Sequence, residues 1–168
     1  MADLVTTISE SVTINGALRG SSNSVTISDV VDTFERVVTC IHGNVTTIAT
    51  FGAQPYSSAG AIDVDRCKYI RVTNLDAAGW IEVGIITTAT NYQVLLTPGQ
   101  SHILCQAEAV ALAEADTDPS FGTMENLTAI EVQPVGVSYS PRVEIFTASI
   151  ELIEQKVVCK KLKEEVQI

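Results

Sequence analysis

Lys68-Tyr69-Ile70-Arg71-Val72-Thr73 alternates polar and apolar side chains. Asn74-Leu75-Asp76-Ala77-Ala78-Gly79 interrupts the alternation with turn formers, and Trp80-Ile81-Glu82-Val83-Gly84-Ile85-Ile86 resumes it. A period of two puts every second side chain on one face of a pleated strand. The branched Cβ of Val, Ile and Thr suits that backbone better than a helix. Strand, turn, strand is therefore the unit from which the chain is read.

Upstream, residues 2–8 and 11–14 form a first extended segment closed by Asn15-Gly16, a strong turn signal. Gly20-Ser21-Ser22-Asn23 is a polar turn, and Ser24 to Ser28 alternates as a strand. Asp29 to Thr33 reads as a short helical turn capped by Ser28 or Asp29. Arg36 to Ile41 and Val45 to Phe51 read as a hairpin around His42-Gly43-Asn44. Gln54 to Gly60 is a loop, and Ala61 to Val64 is a short strand.

Downstream, Thr87 to Asn91 is a polar connection, and Tyr92 to Leu96 is a strand ended by Thr97-Pro98-Gly99-Gln100. Ser101 to Gln106 is its return strand. Residues 107–118 are rich in Ala and acids and read as a short helix or an irregular loop, with Pro119 to Leu127 turn-like. Thr128 to Val135 and Arg142 to Ser149 make a final pair of strands around Val137 to Pro141. About ten short strands with turn signals between them predict an all-β domain over residues 1–149, a β-sandwich of jelly-roll type. The strands have no helices between them, which argues against a parallel βαβ sheet.

Residues 150–168 break from this pattern. Ile150, Ile153 and Val157, then Val158, Leu162 and Val166, fall at spacings of three and four, with Glu and Lys between them. This predicts an amphipathic helix or an extended arm. A lone helix of this length is marginal in water, so its apolar stripe must dock on its own domain or on a neighbouring chain. The segment holds four basic and four acidic residues, so residues 1–149 carry the whole net charge of −10.

That charge argues against binding nucleic acid through phosphates, which needs clustered Lys and Arg. No apolar run of about 18 residues is present, so no membrane-spanning helix is expected. Met1-Ala2-Asp3-Leu4-Val5 has neither a basic nor an apolar leader pattern, so no secretory signal is expected. Hydrophobic residues make up 46 % of the chain and charged residues 18 %. Mean hydropathy is +0.25, which points to a large core or to apolar surface reserved for partners.

The chemistry-bearing residues are few. Cys40, Cys67, Cys105 and Cys159 form no Cys-x-x-Cys pair and read as small hydrophobes, three of them in apolar stretches. Cys40 with His42, on one strand face, is the alternative metal reading, and His102 lies three residues from Cys105. No nucleophile sits in a recognisable catalytic setting. Asp63 and Asp65 would share a strand face but read as solvated acids beside Arg66 and Lys68. Asp116-Thr117-Asp118 lacks the Gly and closing Glu of a calcium loop. The expectation is therefore a protein with no catalytic site, cofactor or metal. Trp80, beside Gly79, reads as a core or interface anchor, with a sugar-stacking platform of Trp80 and Tyr69 as the alternative. The candidate interaction residues are Trp80, Val158, Leu162 and Val166.

Three blocks carry a family resemblance: Ile8 to Gly16, Lys68 to Asp76 followed by Trp80 and Val83, and Tyr92 to Leu96 with Pro98-Gly99 and Ser101 to Leu104. Together they resemble small β-rich virion structural proteins of tailed bacteriophages over about residues 5–149. The resemblance implies a non-enzymatic virion component assembled in bacterial cytoplasm, where disulfides are not needed. It implies a capsid decoration (cement) protein, with a neck, tail or fibre component as the alternative. It further implies a homo-oligomer, a trimer above all, whose partners are its own copies and the major capsid protein. It transfers no catalytic residues. A glycan-binding sandwich is the alternative from a different functional class.

Overall fold

Runs of Val, Ile and Thr become strands throughout. The computed structural model describes residues 2–53, 60–88, 91–105, 110–112, 124–136 and 138–151, and every regular element among them is a β-strand. The chain divides into two compact units, Met1–Val31 with Ile150–Ile168, and Asp32–Ser149. The arm expected at residues 150–168, with Val158, Leu162 and Val166, lies beyond Glu151 and outside the described residues.

The first unit contains β1 (Ala2–Ser9), β2 (Val12–Ile14), β3 (Ala17–Arg19) and the beginning of β4 (Ser22–Thr39). β1 pairs antiparallel with β4 from Leu4↔Ile27 to Ser9↔Ser22, and β2 with β3 from Val12↔Arg19 to Ile14↔Ala17. The result is one long hairpin, of which β3 was not expected from the sequence. At its tip Asn15 (φ 51°) and Gly16 (φ 77°) are the two left-handed residues of a type I′ turn. The ribbon is interrupted where Gly20 (φ 127°) passes Glu10; a Cβ at position 20 would overlap the Glu10 carbonyl oxygen. The Glu10 N–H there donates to Ser21 O at 2.8 Å.

No helical turn forms at Asp29–Thr33, because β4 runs unbroken through it. Asp29 instead takes φ 63° beside a register shift between Leu4↔Ile27 and Ala2↔Val30, a β-bulge. Asp tolerates the left-handed region better than most residues, so the feature that resembled a helix cap serves the bulge.

In the second unit the rest of β4 is followed by β5 (Thr46–Gly52), β6 (Ile62–Asp63), β7 (Cys67–Asn74), β8 (Trp80–Ile86) and β9 (Asn91–Leu96). Then come β10 (Ser101–Cys105), β11 (Val110–Leu112), β12 (Met124–Asn126), β13 (Ala129–Val135) and β14 (Arg142–Ile150). One sheet has the order β4-β14-β7-β10, and the other β6-β5-β13-β8-β9. The pairs β8/β9, β7/β10, β5/β13 and β4/β14 are thus nested around the β8–β9 connection. With two-residue β6 set aside, this is the double-sheet jelly roll. Residues 107–118 contain strand β11, paired with β12 inside the stretch expected to be turn-like.

The two sheets enclose one core. Ile81, Val83 and Ile85 of β8, with Ile48 of β5 and Ile130 and Val132 of β13 from the same sheet, share one core with Ile70 and Val72 of β7 and Val143 and Ile145 of β14 from the other. Each such side chain contributes about 1.5–3 kcal/mol on full burial. Three connections expected to be hairpins cross between sheets: β4 to β5, β9 to β10, and β13 to β14. Pro-Gly and Gly-Asn reverse a chain equally well within a sheet or across a core. Which occurs depends on long-range burial, and here Cys40 and Ile48 both turn into the same interior.

Asn74, buried at the end of β7, ties these crossings together. Its Nδ2 donates to Gly79 O at 2.8 Å and to Leu96 O at 3.1 Å, while its Oδ1 accepts from Asp76 N–H at 3.0 Å. Its own N–H donates to Gln100 O at 2.9 Å, and its carbonyl accepts from Gly99 N–H at 3.0 Å. The adjacent Leu75 N–H reaches Arg142 O at 2.9 Å, and Cys40 N–H reaches Pro141 O at 2.9 Å. Asp76 Oδ1 accepts from Gly79 N–H at 2.7 Å and Ala78 N–H at 2.8 Å, which holds its carboxyl below the usual carboxylate range.

Asn74→Ala leaves the Gly79 and Leu96 carbonyls and the Asp76 amide short of a partner, at about 1–3 kcal/mol for each group that stays buried. Asn74→Asp keeps the acceptor and loses both donors. Urea unfolding of both variants should show lowered midpoints. A parental midpoint in Asn74→Asp would show that the two donated bonds contribute nothing.

Candidate functional site

Pairing across the hairpin sorts its side chains onto two faces. Leu4, Thr6 and Ile8 share a face with Ile27, Val25 and Asn23, while Val5, Thr7 and Ser9 share the other with Thr26, Ser24 and Ser22. Beyond Gly20, Val12 and Ile14 stand opposite Arg19 and Ala17. Ile27 is buried and Leu4 half-buried. Toward the tip, Ile8 (55 %), Val12 (51 %) and Ile14 (55 %) are exposed, as are Val5 and Leu18 on their own rows. Surface at such positions is ordinarily Ser, Thr, Lys or Glu. Exposed apolar side chains there, with Glu10 between Ile8 and Val12, are a candidate contact surface. The apolar periodicity of residues 150–168 is the stronger signal in the sequence, and the hairpin residues show no comparable pattern. The legible signal was the register itself, since the Asn15-Gly16 turn fixes which residues stand opposite one another.

The outer face of the β5-β13-β8-β9 sheet is the second candidate surface. Trp80, Glu82 and Gly84 alternate with core residues along β8. The antiparallel register sets Val135 beside Trp80, Gln133 and Leu95 beside Glu82, and Glu131 and Gln93 beside Gly84. Gly84 lies in a shallow depression of about 70 Å³ lined by Glu82, Gln93, Glu131 and Gln133 and by the apolar Val45, Ile86 and Val132. Trp80 is 47 % exposed, and Tyr139, also exposed, packs its Cβ toward Gly79. By contrast, the outer face of the other sheet engages its own groups. Arg71 pairs with Glu144 at 2.7 Å and lies over the Phe146 ring, which Tyr69 meets edge-on.

The remaining candidates do not converge. β4 ends at Thr39, so Cys40 turns into the core while His42 is exposed in the following turn, its N–H on Ser140 Oγ; the two do not share a strand face. Asp63 Oδ1 accepts from Asp65 N–H at 3.1 Å, a local turn rather than a carboxylate pair across a cleft. His102 meets the Tyr92 hydroxyl at 3.2 Å, joining β10 to β9 across the sheets. Among the described residues, no group of three or more His, Cys, Asp or Glu is placed to hold a metal ion. No described helix is long and apolar enough to cross a membrane. Trp80 and the hairpin are the described surfaces with interaction chemistry. Residues 158, 162 and 166 are outside the described set.

No protein-family model matches the sequence, and comparison with curated proteins and with solved structures gives no match.

Two expectations follow from burial. Desolvation pushes the Cys67 thiol up to about 11 and raises that of Cys40. Both should react slowly with a disulfide reagent in the folded chain and at once in denaturant. Fast labelling of the folded chain at either position would contradict their burial. Desolvation also lowers the His102 pKa, so the unfolded state binds its proton more readily. Stability from this group is present above the unfolded value and lost as pH falls through the folded one. Urea midpoints should therefore fall between about pH 7 and pH 5, with a shallower fall in His102→Gln.

Proposed function

We propose that this is a non-enzymatic structural protein that works by packing against other chains, with the Ala2–Val31 hairpin as its assembly element. The observation that carries the reading is the exposure of three large apolar side chains toward the hairpin tip, Ile8 on β1 and Val12 and Ile14 on β2. An isolated hairpin is at best marginally stable in water and gains stability when a third layer or strand covers it. Full burial of each of those side chains contributes about 1.5–3 kcal/mol. β1 also stands last in its sheet order, and Asp3 is its one charged residue. It has no Pro and little charge to block pairing, so it suits strand addition to a neighbouring chain.

The identity of the assembly comes from the sequence resemblance over about residues 5–149: a tailed-phage virion component, of the capsid decoration type. Its copies form a homotrimer and contact the major capsid protein, and a neck, tail or fibre position is the alternative setting. The jelly roll supports this reading in a general way, since capsid proteins use it widely; lectins use it too.

The test is the full-length Ile8→Ser, Val12→Ser, Ile14→Ser variant. Because these side chains are exposed, circular dichroism should remain that of the parent. Sedimentation velocity should show the parent as an oligomer and the variant as a monomer. A variant that sediments as the parent does removes the hairpin from the interface. A parent that is monomeric and also fails to decorate phage particles refutes the assembly reading as a whole.

A further inference from the structure

We propose that the outer face of the β5-β13-β8-β9 sheet binds a short, neutral oligosaccharide, with Trp80 as its stacking platform. The site stands on a different surface from the hairpin and does not depend on the assembly reading.

Trp80, Glu82 and Gly84 point to one side because Ile81, Val83 and Ile85 fill the core. Trp80 and Gly84 are four residues apart, about 13 Å along a strand, which is the reach of a short oligosaccharide rather than one ring. At one end an indole lies open to solvent. At the other, Gly84 leaves bare backbone in the shallow depression, where a Cβ would come within 3.2 Å of Ile86 Cδ1. Gln93, Gln133, Glu82 and Glu131 line it on the polar side, and Val45 and Ile86 on the apolar side.

These groups select the ligand. A pyranose offers an apolar C–H face to an aromatic plane and a fringe of hydroxyls that both donate and accept. The two Gln amides can do both, and the two carboxylates accept. Among the described residues, no hydrogen bond or ion pair engages the side chains of Glu82, Gln93 or Gln133, so they are available to a ligand. The carboxylates, on a chain of net charge −10, disfavour sulfated, uronic or phosphate-bearing ligands. They also disfavour a two-fold contact with a second copy, which would bring Glu82 and Glu131 against their own counterparts.

Trp80 is the only tryptophan of the chain, so its emission reports directly on the site. The full-length protein is titrated with maltohexaose, cellohexaose and chitotetraose. At least one should shift the emission saturably, with affinity in the range of about 1 mM or tighter. By calorimetry, Trp80→Ala should abolish that binding, and Gln93→Ala with Gln133→Ala should weaken it about tenfold or more. The Ile8→Ser, Val12→Ser, Ile14→Ser variant should bind as the parent does. Emission unchanged by all three sugars up to about 10 mM overturns the proposal. So does undiminished binding in the Gln variant. An emission shift that follows protein concentration without sugar assigns the face to an interface between copies and overturns it as well.

Discussion

Asn74 gives both of its amide protons to main-chain carbonyls, of Gly79 and of Leu96, and in doing so joins two crossings of the jelly roll at one end of the core. No other uncharged side chain of that size supplies two donors and an acceptor from one planar group. A hydroxyl has a single proton, and a carboxylate has none. The crossings need such a group because chain that passes between sheets leaves the ladder of both, and its buried carbonyls must find partners elsewhere. The neighbouring contacts of Leu75 with Arg142 and Cys40 with Pro141 depend on the same alignment. The positions of Trp80 on β8 and of the exposed Tyr139 near Gly79 follow from where this cluster returns the chain.

Much of the architecture was legible locally. The alternation in Trp80 to Ile86 and in Tyr92 to Leu96 marks strands whose observed ends agree within a residue, and Asn15-Gly16 marks the hairpin tip. The expectation of a jelly roll agrees with the observed sheet orders. What local pattern could not supply was partnership. Pro98-Gly99 and His42-Gly43-Asn44 look like hairpin turns because reversing a chain needs the same φ values wherever the next strand goes. Sheet choice is made by burial across the whole domain. Asp29 misled for another reason: the short polar side chain that can cap a helix by accepting from backbone N–H groups also tolerates the left-handed region that a bulge needs.

The site was partly legible. Trp80 drew attention as a lone aromatic beside Gly79. The polar side chains that share its face come from β9 and β13, and only the register brings them there. In the hairpin, the apolar residues were visible, but exposure is not a property of sequence. The same Ile8 and Val12 could have lined a core. Among the described residues the ribbon is two strands wide, and it is the structure that leaves those side chains exposed on it. The molecule thus separates two surface chemistries, apolar on the hairpin and aromatic with polar groups on the sheet face, each suited to a different class of ligand.

The nested pairing also orders events in time. β4 lies beside β14, and about 100 residues separate the end of one from the start of the other. At ordinary synthesis rates of about 5–20 residues per second, β4 waits about 5–20 s before its sheet neighbour exists. The β1–β4 hairpin has no such delay, since its paired residues all lie between Ala2 and Val30. The chain therefore emerges with its sticky element able to form first and its jelly roll last. During that interval the apolar ribbon is exposed on nascent chains of the same polysome, where copies are closest together.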